Sequence, residues 1–67
     1  MLHKDVYGWF AVIFPQYTSK VETYFPCGKN CIRVRLRDHQ EFVFTYESLT
    51  DWSLDTVDSF IRRLKGV

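Results

Sequence analysis

Ile32, Val34 and Leu36 alternate with Arg33, Arg35 and Arg37, and after a polar break at Asp38, His39 and Gln40 the alternation resumes with Phe42, Phe44 and Tyr46 against Val43 and Thr45. A period of two with one apolar set marks a strand that lays one face on a core. Strands are therefore predicted over Cys31–Arg37 and Glu41–Tyr46. Lys20–Phe25 alternates in the same way, with Val21, Thr23 and Phe25 against Lys20, Glu22 and Tyr24, and predicts another. Val6–Phe14 is different, because both of its alternating sets are apolar: Val6, Phe10, Val12 and Phe14 on one side, Tyr7, Trp9, Ala11 and Ile13 on the other. Its aromatic and β-branched content predicts a first strand covered in part on both faces. A pattern apolar on both sides leaves open which face looks toward the helix.

The period changes near the C-terminus. Leu54, Val57, Phe60, Ile61 and Leu64 fall at helical spacing and predict an amphipathic helix. Ser53 is a suitable N-cap, Asp55 and Asp58 suit the early turns, and Arg62, Arg63 and Lys65 suit the last one. Gly66 is a natural stop.

Register follows from the faces, since a one-residue slip exchanges them. Ile32, Val34 and Leu36 share a face with Phe42, Phe44 and Tyr46 if Arg37 lies opposite Glu41, Arg35 opposite Val43 and Arg33 opposite Thr45. A tight turn at Gly28-Lys29 pairs Phe25 with Ile32 and Thr23 with Val34, which puts Tyr24 beside Arg33 and Glu22 beside Arg35. The expected architecture is α+β: a four-stranded antiparallel meander with one C-terminal helix packed on one face, ββββα. The 67 residues make one domain, 1–67.

Composition adds a rich core, with six Phe, four Tyr and two Trp against three Gly and two Pro, far from the signature of disorder. The net charge of +1 gives no reason to expect a generic polyanion binder. The apolar run at Val6–Phe14 is far short of the roughly 20 residues of a spanning helix and lacks a cleavage site. A cytoplasmic protein is expected, with no membrane partner and two free thiols.

The remaining question is the arginine row. On the face away from the helix, Arg33, Arg35 and Arg37 are joined by Lys20 and Tyr24 and, from the first strand, by Trp9 and Ile13. Solvation alone accounts for alternating arginines, with Glu41 and Glu22 as their partners. It does not account for Trp9 and Ile13, because sizeable exposed apolar patches mark interaction sites. Trp9, Ile13, Tyr24, Arg33, Arg35 and Arg37 are the candidate binding residues, for a protein partner or a second copy of the chain. The alternative is single-stranded nucleic acid, whose bases stack on aromatic rings while arginines follow the backbone.

Catalytic and metal chemistry find little support. Cys27 and Cys31 with His3 and His39 supply the ligand types of a zinc site. However, His39 lies at the far end of a strand from both cysteines, and the expected register puts the two thiols on opposite faces, which disfavours both a metal and a disulfide. The carboxylates Asp51, Asp55 and Asp58 are accounted for by the helix, and no phosphate-loop pattern is present. No cofactor, small-molecule substrate or enzymatic activity is expected. The meander-plus-helix plan resembles that of many small accessory proteins of phages and mobile elements, an architectural likeness that assigns no residue a role. The expected function is that of a small non-enzymatic binding module.

Overall fold

The computed structural model describes residues 2–65, apart from the side chain of Leu64. Its elements are α1 (His3–Ile13), α2 (Pro15–Thr18), β1 (Val21–Gly28), β2 (Cys31–Leu36), β3 (Glu41–Ser48), β4 (Asp51–Thr56) and α3 (Val57–Lys65). The strands form one antiparallel sheet in the order β1-β2-β3-β4, followed by a C-terminal helix. This is the α+β plan that the periodicities predict.

The segment expected to be the first strand is a helix. Within α1, Val6, Phe10 and Ile13 turn inward while Lys4, Gly8 and Val12 turn outward, which is a 3.6-residue period. Asp5 in the first turn suits the helix dipole. Pro15 ends the helix, since it has no N–H to donate and disfavours helical backbone at the residue before it. Phe14 accordingly sits at φ −123°, ψ 62°, and the chain restarts as α2 with Pro15 in its first turn.

The fourth strand is β4, in the stretch that was expected to begin the helix. Trp52 and Leu54 lie opposite Tyr46 and Phe44, so they extend the apolar face of β3. The helix starts only at Val57. Its cap is Thr56, whose Oγ1 accepts the Ser59 N–H at 3.2 Å, and not Ser53. Gly66 lies outside the described residues.

Two faces of the sheet result. On the first, α1 buries Val6 and Phe10 against Ile32, Val34, Leu36, Phe44 and Tyr46. The Phe10 ring meets Phe44 edge-on at 5.5 Å, a preferred aromatic geometry. On the second, α3 returns over β3 and β4, and Arg63 donates to Asp55 at 2.6 Å. Asp55 lies opposite Val43, which is 1% exposed yet outside the main core cluster. The C-terminal helix therefore sits on the arginine side, and the N-terminal helix takes the face expected to carry α3.

Register departs from expectation in two different ways. Arg35, not Arg37, lies opposite Glu41, and Arg33 lies opposite Val43. That is a slip of two, and it leaves every face unchanged. Between β1 and β2 the slip is one: Tyr24 pairs with Val34 and Phe25 with Arg33. Tyr24 moves to the α1 face and Phe25 to the arginine face.

Among the described residues no helix is long and apolar enough to cross a membrane.

Candidate binding face

The second face is built from β2 outward. Arg33 and Arg35 both point to it, and Glu41 on β3 lies opposite Arg35. One carboxylate serves both cations: Arg33 Nε–H donates to Glu41 Oε1, while Arg35 Nε lies 3.4 Å from Oε2. The side chains are 43%, 38% and 20% exposed for Arg33, Arg35 and Glu41. The hydrogen bond from Arg33, helped by the charges of both arginines and opposed by partial desolvation, holds the Glu41 carboxyl below the usual carboxylate range.

On the β1 side the Arg35 guanidinium carbon lies 5.5 Å from the centroid of the Phe25 ring, within cation–π range. Phe25 is itself 40% exposed. Toward α3, an open cleft of about 240 Å³ is lined by Arg33, His39, Glu41, Thr56, Val57 and Asp58. His39 reaches it from the β2–β3 turn, where its φ is 73° and its N–H donates to the Leu36 carbonyl.

The expected binding residues are divided by this geometry. Arg33 and Arg35 are brought together. Arg37 lies beyond the end of β2, exposed, with its backbone N–H donating to the Lys20 carbonyl at 2.9 Å. Trp9 is on the first face, stacked on Tyr46 at 5.0 Å and 8°. Ile13 packs against the same core, and Tyr24 stacks on Tyr7. These three do not join the arginines, because their segment is a helix and because β1 is shifted by one. Glu22, expected beside Arg35, is exposed and skipped by the ladder.

Phe25 was missed for a definite reason. Pro26 lies opposite Ile32 and Gly28 opposite Cys31, so β1 carries one extra residue there, a β-bulge. A proline and a glycine within one strand are the residues that mark such a site, and they are the signal that could have exposed Phe25. The same bulge corrects the placement of the cysteines: Cys27 and Cys31 share the second face, where β1 turns into β2. His3, expected only as a distant ligand type, donates from Nε2 to the Gly28 carbonyl at 2.7 Å, so it carries its proton on Nε2. Among the described residues no group of three or more His, Cys, Asp or Glu side chains is gathered in metal-binding fashion.

Comparison with protein-family models, curated proteins and solved structures finds no match.

Proposed function

We propose that the protein is a small, non-enzymatic binding module of the cytoplasm that docks another protein, or a second copy of itself, on the part of the second sheet face that lies beyond α3. One observation carries this reading: Phe25, with two-fifths of its surface exposed, lies under the Arg35 guanidinium with Arg33 paired opposite it across the ladder. Aromatic residues and arginine are the types enriched at the centres of protein interfaces. Glu41 takes a hydrogen bond from Arg33 and pairs with Arg35, which offsets one of the two positive charges and favours a protein partner over single-stranded nucleic acid. The cleft beside α3, about 240 Å³, is smaller than the roughly 300–1,000 Å³ of ligand pockets, and of its two carboxylates Glu41 is engaged by the arginines. Both features favour binding over catalysis.

Sedimentation equilibrium across a range of concentrations tests the reading. Self-association raises the mass above 8.1 kDa, and Phe25→Ser and Arg35→Ser remove the rise. If the chain stays monomeric, a binding protein from the native host must be released by the same two substitutions. Binding of an oligonucleotide whose log–log salt slope falls by about 0.7 with each arginine removed would replace this reading with the nucleic-acid one.

A further inference from the structure

Two thiols meet where β1 turns into β2. Cys27 and Gly28 together face the single residue Cys31 across the ladder, the two-against-one count of a β-bulge. Pro26 shares the side of its partner Ile32, so Cys27 and Cys31, each one residue away from that pair, both fall on the second face. Cys27 lies near enough to Cys31 to help push the Cys31 thiol up. A Cβ built on Gly28, the ladder partner of Cys31, would lie 4.0 Å from the Cys31 Cβ, so the two strands run close together at the bulge. The bulge is also held from outside, by the His3 hydrogen bond to the Gly28 carbonyl. Access is unequal, with Cys27 half-exposed and Cys31 buried.

We infer that Cys27 and Cys31 form a redox-active dithiol site that is oxidised, one equivalent per chain, by a low-molecular-weight disulfide such as glutathione disulfide. The accessible Cys27 thiolate attacks one sulfur of that disulfide. The S–S bond breaks, one glutathione leaves as thiolate, and a mixed disulfide forms at Cys27. Cys31 then gives up its proton to solvent and attacks the Cys27 sulfur, and the second glutathione leaves as thiolate. The two protein thiols are oxidised by two electrons, and one glutathione disulfide is reduced to two glutathiones. No further reactant is needed. Burial is the main influence on the Cys31 thiol and pushes it up; a hydrogen bond with Thr45 works against this, and Cys27 adds to it. Cys31 is therefore the resolving sulfur and Cys27 the point of entry. The site does not depend on the proposed partner, although its bridge would form two residues from Phe25 on the same face.

The full chain is equilibrated in reduced and oxidised glutathione, with and without urea, quenched by alkylation and weighed by mass spectrometry. The expected product is a monomer lighter by two hydrogens that resists alkylation. Its oxidation constant should be higher in the native protein than in urea by about tenfold or more, which is ~30 mV for a two-electron couple. Cys31→Ser should retain one glutathione on Cys27, and Cys27→Ser should remain unmodified while folded. A native constant equal to or below the unfolded one overturns the inference. So does accumulation of a glutathione on each cysteine, of intermolecular dimers, or of glutathione on folded Cys27→Ser.

Discussion

The rings of Tyr7 and Tyr24 lie 4.5 Å apart and within 6° of parallel, and this stack joins the middle of α1 to the edge strand β1. Tyr7 also stacks on Phe10 at 6.0 Å, so the pair is continuous with the core. Aromatic pairs contribute about 0.5–1.5 kcal/mol beyond their burial. A double-mutant cycle with Tyr7→Leu and Tyr24→Leu should return a coupling in that range from urea melts. A coupling near zero would mean that α1 is not docked over β1 in this way.

Phe10 is the hub of the first face. It is fully buried, and its ring centroid lies 5.5, 6.4 and 5.5 Å from those of Phe14, Tyr17 and Phe44. Phe10→Ala should cost about 3–5 kcal/mol. A domain of this size has roughly 0.05–0.15 kcal/mol per residue in hand, so the variant should lose a large part of its stability and unfold at a much lower urea concentration. Val12→Ala, at an outward position that is 65% exposed, should stay within about 0.5 kcal/mol of wild type. The reverse ranking in urea melts would restore a strand, or another helix face, to this segment.

The contrast between Phe10 and Val12 also shows where sequence reasoning stopped. The strands β2 and β3 and the body of α3 were legible because each has one apolar and one polar set at a single period, whereas β1 was legible as a strand but not in its faces, which two register shifts rearrange. In α1 the outward row Lys4, Gly8, Val12 includes an exposed valine, so no polar stripe announces the helix, and the β-branched and aromatic content favours a strand. Leu54 fits two periods at once, as a neighbour of Trp52 in a strand and of Val57 and Ile61 in a helix. Its pairing with Phe44 is a long-range fact that decides between them. The arginine pair was legible as a face. Its aromatic neighbour was not, because a single inserted residue at Cys27 moved Phe25 in and Tyr24 out.

His39 offers a test of the β2–β3 turn. Its φ of 73° lies in the left-handed region, which costs a non-glycine residue about 1–2 kcal/mol, while glycine gives back about 0.4–1 kcal/mol through the freedom of the unfolded chain. His39→Gly should therefore be neutral or stabilising by up to about 1 kcal/mol, a rise in melting temperature of up to roughly 4–8 °C. His39→Val, β-branched at positive φ, should be destabilising. Thermal melts of the two variants that coincide would show that the turn is relaxed in solution.

Glu41 makes the second face sensitive to acid. Its folded carboxyl titrates below the ordinary range, first because Arg33 hydrogen-bonds it and then through the charges of Arg33 and Arg35. Between the unfolded value, about 4.3, and the lower folded one, the unfolded chain binds more protons than the native protein. Stability therefore rises with pH through that window. The contribution is fully present above the unfolded value and is lost as the pH falls through the folded value. Urea midpoints measured from about pH 6 down to about pH 3 should fall less steeply for Glu41→Gln than for wild type. Arg33→Gln should flatten the profile more than Arg35→Gln, because Arg33 makes the hydrogen bond while Arg35 Nε stays 3.4 Å away. Added salt should weaken the effect only in part, since the carboxylate is 20% exposed and screening acts chiefly on exposed charges. Parallel profiles for wild type and Glu41→Gln would mean that the arginines do not share this carboxylate in solution, and Phe25 would then stand on the face beside two free cations.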